Sequence, residues 1–182
     1  MEEIAAAADY SRRSLYRYFK SRDEICLMIL VEDLRRRWER QRAALAAAGT
    51  GLAKIVAWGE SLFAFSRENP QSLQLQIYWD YRGIDPERIS RDVFREFEAI
   101  NIELADGLRD LFGQGVADGS LRADLQIDRC ISQYLYSLRS VINRALSSGY
   151  SFRTFDPEDY VRHYLDLFAR AIRSAEEANH AR

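Results

Sequence analysis

Apolar residues recur at intervals of three and four along most of this chain, the spacing of one face of an α-helix. The clearest stripe consists of Ile89, Val93, Phe97, Ile100, Leu104, Leu108 and Leu111. Its mean spacing of about 3.7 residues is one that no strand period produces. It predicts a helix that begins at Pro86, after a capping Asp85, and stops at Gly119.

Four more stripes predict further helices. The first follows a capping box, Ser21 to Glu24, and runs to the alanines near 43–48, and the next begins after Thr50. The last two helices are expected at about 124–148 and 157–175. The apolar stripe of the helix that follows the capping box consists of Ile25, Met28, Val31, Leu34 and Trp38.

The segment from Leu73 to Ile77 alternates like a β-strand. Because no second strand is available to pair with it, we interpret it as helix, beginning after Asn69-Pro70. Only three prolines and nine glycines interrupt the sequence, which favours long helices. The chain is therefore predicted to be all-α, without internal repeats.

The composition is that of an ordinary soluble protein. The 182 residues are 47% hydrophobic and 30% charged, which fits one domain, or one domain with a small added module. Two cysteines exclude a disulfide framework and suit the reducing cytoplasm. No apolar run is long enough for a membrane span, and the acidic start is unlike a signal peptide.

The charge is unevenly distributed. Residues 10–22 contain five basic and no acidic side chains, whereas residues 51–182 contain 16 basic and 20 acidic ones. A basic segment on an acidic body predicts that the segment alone contacts a polyanion. A solvated helix face would explain the same charges, and charge alone does not decide between the two.

Two short helices joined by a tight turn are predicted at the start of the chain, at 2–8 and 11–18, with Ser11 as a cap. The second is rich in arginine and tyrosine, which is typical of a helix-turn-helix. Residues 4–25, IAAAADYSRRSLYRYFKSRDEI, resemble the DNA-binding signature of TetR-family transcriptional regulators. The resemblance is dense over about 22 residues and more specific than a lone glycine motif.

The resemblance implies that residues 11–18 lie in the major groove of DNA. Arg12, Arg13 and Arg17 would then face base edges, where a guanidinium can bind guanine through two hydrogen bonds. The residues that match family positions for phosphate contacts are Ser14, Tyr16, Tyr18 and Arg22, and Lys20 is expected to join them. For the two tyrosines, simple packing is the alternative.

The sequence departs from the family pattern in two ways. Asp9-Tyr10 replaces the usual Gly-Val, so Asp9 is expected near left-handed geometry, and Arg13 replaces a glycine. The family also places another helix before this segment. The DNA-binding head is therefore expected to be incomplete in this chain, and the natural protein to be longer.

The resemblance also implies a division of the chain. Residues 1–22 would form the head, 21–48 a connecting helix, and 49–182 a domain for effector binding and dimerisation. The helices at about 124–148 and 157–175 would pair with those of a second copy, so that two heads read a palindromic operator. The alternative is that both apolar stripes are buried within one subunit.

The middle helices contain many aromatic residues, where the family encloses a small-molecule effector. The candidate contacts to an apolar or aromatic effector are Trp58, Phe63, Tyr78, Trp79, Phe94, Phe97, Asn101 and Tyr134. For any one of them, core packing is the stronger alternative. No cationic cluster for a phosphorylated effector is recognised in the sequence.

We therefore predict a ligand-responsive DNA-binding regulator, more specifically a repressor, that acts as a homodimer in the cytoplasm without a cofactor. The second hypothesis is a helical dimer of the same type that senses a ligand or partner but does not bind DNA. A helical-bundle enzyme is the third, and it is disfavoured because the two histidines of the chain cannot supply a typical metal site.

Overall fold

A computed structural model describes residues 1–147 and 155–175, and residues 148–154 and 176–182 lie outside the described part. Within it the predicted all-α fold is confirmed, and no β-strand is found there apart from an isolated bridge between Leu121 and Arg173. The helices are α1 Glu2–Ala7, α2 Arg12–Tyr18, α3 Arg22–Leu45, α4 Gly51–Glu68, α5 Pro70–Arg82, α6 Arg91–Ala117, α7 Ile127–Leu146 and α8 Pro157–Ile172.

Most predicted helix starts are confirmed by side-chain caps. The side-chain oxygens of Ser11, Ser21, Thr50 and Asp156 each accept a hydrogen bond from a backbone N–H in the first turn of the following helix. Such a cap stabilises a helix by about 1 kcal/mol. Local sequence therefore sets where α2, α3, α4 and α8 begin.

One predicted start is wrong. Pro86–Arg88 forms a separate 3₁₀ turn, capped by Asp85, and α6 begins only at Arg91 after Ser90. Ile89 lies between them in extended geometry, although it is buried as its stripe requires. At this break Ser21, the cap of α3, and Glu24 of α3 bind the backbone of Arg88 and Ser90.

The stripe predicted for α3 is also partly wrong. Met28 is 43% exposed, whereas Leu27 and Leu30 are buried beside Val31 and Leu34. The buried face is broader than one stripe because α3 contacts α4, α5 and α6. A helix with neighbours on several sides needs more than one apolar line.

Helices α3 to α8 share a single apolar core, in which α4 contacts α3, α5, α6, α7 and α8. The close approach of α4 to its neighbours depends on Gly59: an added Cβ there would lie 2.3 Å from Tyr134 Oη and 2.5 Å from Leu165 Cδ2. The two short helices α1 and α2 stand apart from this core, since Ala5 and Leu15 are buried but do not belong to it.

Candidate nucleic-acid interface and ligand cleft

The turn between α1 and α2 has the geometry expected of the motif. Asp9 adopts a left-handed conformation (φ 55°), as predicted, and the N–H of Tyr10 donates to the carbonyl of Ala5 at 2.9 Å. Aspartate tolerates this conformation better than most residues. The turn brings Leu15 against α1, and Leu15 is the buried residue of α2.

The residues predicted to contact DNA surround this buried contact. Seven of the eight are exposed and Ser14 is half-buried, where its backbone N–H donates to the cap Ser11 at 3.0 Å. The exposed seven are Arg12, Arg13, Tyr16, Arg17, Tyr18, Lys20 and Arg22. The structure therefore brings them together on and just after one short helix.

The arginines of the head differ in their partners. Arg12 pairs with Glu2 at 2.7 Å and lies over the ring of Tyr16. Within residues 1–147 and 155–175, Arg13, Arg17 and Arg22 form no ion pair with a carboxylate. Three cationic groups are thus available to bind an anion without breaking an existing salt bridge.

A polar junction that sequence reasoning missed joins the head to the body. The carboxylate of Asp23 is buried and lies 2.9 Å from Arg88 and 3.7 Å from Arg82. Glu24 accepts hydrogen bonds from the backbone N–H groups of Lys20 and, at 3.1 Å, Ser90. The first turn of α3 is therefore bound to the end of α5 and to the segment that precedes α6.

The hydroxyl of Ser21 strengthens the same junction. It accepts a hydrogen bond from the backbone N–H of Glu24 at 3.1 Å and donates one to the carbonyl of Arg88 at 2.7 Å. The capping-box pattern predicts the first bond. Only the fold supplies the second, because Arg88 is distant in sequence.

The eight residues predicted to contact a ligand are mostly part of the core. Trp58, Phe63, Trp79 and Tyr134 are buried, and Phe94, Phe97 and Asn101 are half-buried. Tyr134 Oη donates to the carbonyl of Ile55 at 2.8 Å, and its ring lies 5.6 Å from that of Trp58.

Two further contacts join neighbours within the predicted set. Asn101 Nδ2 donates to the carbonyl of Phe97 at 2.7 Å, one turn earlier on α6. Tyr78 is partly exposed and its ring contacts that of Trp79 edge-on. The eight thus lie on four helices, α4, α5, α6 and α7.

A cleft of about 370 Å³ opens between α5 and α7. Its lining differs from the predicted set and consists of Ile77, Asp80, Tyr81, Tyr136, Arg139, Ser140 and Asn143. Arg139 is only 8% exposed, forms an ion pair with Asp80 at 2.9 Å, and packs over the ring of Tyr136. The cleft therefore contains a largely desolvated guanidinium.

A second buried arginine lies close to the first. Arg37 of α3 is 5% exposed, its Nη1 donates to Gln76 Oε1 at 2.8 Å, and its Nε has no hydrogen-bond partner. Burial, and next the positive charge of Arg139, lower the pKa of Arg37 to about 10. The structure therefore brings together two buried arginines in a part of the chain where the sequence alone showed no cationic cluster.

Sequence reasoning missed the pair because the two arginines are far apart along the chain. A signal was available in each helix. Arg37 lies three residues after Leu34 and directly before Trp38, and Arg139 directly follows Leu138, so both interrupt apolar stripes. A charged residue on a buried face usually has a partner or a ligand.

Other chemistry is sparse in the described part of the chain. It contains no group of three or more His, Cys, Asp or Glu side chains that could hold a metal ion. None of its helices is long and apolar enough to cross a membrane. Cys26 and Cys130 are free and half-buried, and burial raises the pKa of Cys130.

Comparisons with known proteins agree with this geometry. Residues 1–28 match the family model described as "Bacterial regulatory proteins, tetR family". The HTH-type transcriptional repressor KstR2 of Mycolicibacterium smegmatis is 30% identical over 129 residues. The match covers 70% of this chain and 60% of that protein.

Two solved structures share the fold. The ketosteroid transcriptional regulator KstR2 of Mycobacterium tuberculosis superposes with a TM-score of 0.71 at 19% identity, over 95% of this chain and 84% of that one. The transcriptional regulator FadR of Bacillus subtilis, in complex with stearoyl-CoA, gives a TM-score of 0.73 at 15% identity, over 94% and 87%. At these identities the likeness concerns the fold alone.

Proposed function

We propose that this chain, which belongs to the tetR family of bacterial regulatory proteins, is a transcriptional regulator that binds double-stranded DNA and responds to a small ligand. The observation that carries the proposal is the head, where three arginines without a carboxylate partner stand beside two exposed tyrosines. Its relative in M. smegmatis is a repressor, and we propose the same sign of regulation here.

The head binds DNA through α2 in the major groove. Arg12, Arg13 and Arg17 face base edges, while the side chains that follow or flank them hold phosphates: Ser14, Tyr16, Tyr18, Lys20 and Arg22. Their exposure supports this assignment, and so does the capped, regular geometry of α2. Residues 1–22 then form the head, 21–48 connect it, and 49–182 form the effector and dimer domain.

Two copies of the chain pair through α7 and α8. These helices pack against each other and leave apolar side chains on the surface, among them Leu167, which is 51% exposed. A single head of two short helices is too small for specific binding. Two heads about 34–36 Å apart could instead contact successive major grooves of a palindromic operator.

The ligand acts on the head through α5. This helix borders the cleft at Asp80, and two residues later Arg82 reaches the buried Asp23 at the start of α3. Tyr78 and Trp79, from the predicted ligand set, are the neighbours of Asp80 in α5. A ligand changes DNA affinity only as far as it binds the two conformations with different affinity.

The salt dependence of DNA binding tests the proposal. The affinity for a fluorescent duplex of random sequence is measured by anisotropy at several salt concentrations. Each neutralised phosphate contributes a slope of about −0.9 in log K against log salt. Arg22→Gln is expected to make the slope shallower by about 0.9 per head. Arg95→Gln, which alters an exposed arginine of α6, serves as the matched control and should leave the slope unchanged.

A flat slope in the parent chain would contradict the proposal and favour a ligand-sensing dimer that does not bind DNA. Equal effects of the two substitutions would show that the head is not the contact surface. Sedimentation equilibrium tests the pairing of the copies separately, and a strictly monomeric protein would contradict that part of the proposal.

A further inference from the structure

The ion pair between Asp80 and Arg139 bridges the two walls of the cleft between α5 and α7. Both side chains line the cleft, and the contact at 2.9 Å joins one wall to the other. Burial raises the pKa of Asp80, and the charges of Arg139 and Arg37 offset this only in part. The pKa of Asp80 is therefore raised although its side chain is 30% exposed and has a cationic partner.

Charges of both signs meet at this place. Arg139 lowers the pKa of Arg37, so the two guanidinium groups repel each other. Asp80 lies 2.9 Å from Arg139, while Asp33, which also pairs with Arg36, acts on Arg37 more strongly than Asp80 does. An anion that takes the place of Asp80 on Arg139 needs no additional cation.

We infer that the effector carries an anionic oxygen group, a carboxylate or a phosphate, which replaces Asp80 on Arg139. The inference rests on the proposed function, because it names the chemistry of the ligand to which the regulator responds. A planar guanidinium binds such a group through two parallel hydrogen bonds, which a single carboxylate oxygen of Asp80 does not provide. Asp80 is thus an internal substitute for the ligand.

The rest of the lining fits an apolar body attached to that anionic head group. Ile77 and the rings of Tyr81 and Tyr136 offer apolar surface, while Ser140 and Asn143 offer a few hydrogen bonds. A volume of about 370 Å³ is at the small end of ligand sites. It admits a short alkyl or aromatic acid.

Displacement of Asp80 has a defined route to the head. Once Asp80 leaves Arg139, α5 loses its ion pair to α7. Arg82, two residues later in α5, lies 3.7 Å from Asp23 at the start of α3. Anion binding therefore loosens the helix that positions the junction between head and body.

Calorimetric titration of the full chain tests the inference with three probes that share one alkyl body: decanoate, decyl phosphate and the neutral decanamide. Hydrogen bonds to a charged partner predict that at least one anion binds about ten- to hundredfold more tightly than decanamide. The tighter of the two anions identifies the head group as carboxylate or phosphate.

Two substitutions separate ligand binding from folding. Arg139→Gln should abolish the preference for the anion. Asp80→Asn should strengthen anion binding severalfold and leave decanamide unchanged, a result that a merely structural ion pair would not produce. Arg129→Gln, at an exposed arginine near the start of α7, is the matched control and should change nothing.

Three results would overturn the inference: no binding of either anion, equal binding of decanamide, or weaker anion binding in Asp80→Asn. DNA binding without ligand is measured in parallel by its salt slope. A steep slope with no preference for anions would refute this inference and leave the proposed function standing. A flat slope with tight anion binding would refute the proposed function and leave this inference standing.

Discussion

Replacing Gly59 with alanine tests whether the packing of α4 against α7 and α8 is as close as the structure has it. Alanine favours a helix more than glycine does, by about 0.5–1 kcal/mol. The new methyl group, however, would lie 2.3 Å from Tyr134 Oη and 2.5 Å from Leu165 Cδ2. Neither atom can withdraw easily, because both side chains are buried and the hydroxyl is bound to the carbonyl of Ile55.

The two effects can be weighed against each other. Inserting a methyl group into a filled core costs about 1–3 kcal/mol, and contacts on two helices place this site in the upper half of that range. After the gain in helix propensity, we expect Gly59→Ala to lower the free energy of unfolding by about 1–2.5 kcal/mol. For a chain of 182 residues this lowers Tm by about 2–10 °C.

The matched control is the same substitution at Gly113 of α6. An added Cβ there meets nothing within 4 Å, so only helix propensity changes. Gly113→Ala should raise Tm by about 1–4 °C. Both variants are followed by circular dichroism in thermal and urea unfolding. An unchanged or raised Tm in Gly59→Ala would refute the packing argument.

Two further predictions concern the response to ligand. Asp23→Asn removes the buried charge that binds Arg88 and Arg82, and it should lower the free energy of unfolding by about 1–2 kcal/mol, less than for a fully buried pair because both arginines are half-exposed. It should also reduce the ratio of DNA affinities measured without and with ligand, and an unchanged ratio would show that the junction carries no coupling. The affinity for decanesulfonate, whose charge is constant, should rise as the pH falls from neutral through the raised pKa of Asp80, because protonation of Asp80 frees Arg139. A titration in which the affinity falls or stays level would contradict this competition.

The sequence predicted local structure best where a few adjacent residues suffice. Capping serines and Thr50 mark helix starts through hydrogen bonds within four residues, and Asp9 was expected in the left-handed turn for a reason that lies in its own side chain. The dense motif of the head is local in the same sense. Its DNA contacts stay a prediction, although the structure exposes nearly all of them.

The candidate ligand site was the least predictable part. Aromatic residues such as Trp58 and Tyr134 are numerous in the middle helices, and the structure buries these two in the core. Arg37 and Arg139 belong to α3 and α7, and no local pattern relates one to the other. Their meeting depends on how both helices pack around α5.

The sequence by itself determined most of the helices, their caps and the basic helix-turn-helix motif of the head. Each of these depends on residues within one or two turns of one another. Tertiary structure alone decided which cations are buried together, where Asp23 finds its arginines, and why the chain breaks before α6. These outcomes rest on contacts between residues distant along the chain. The energy of such contacts, above all the desolvation of charge, exists only once the helices have packed.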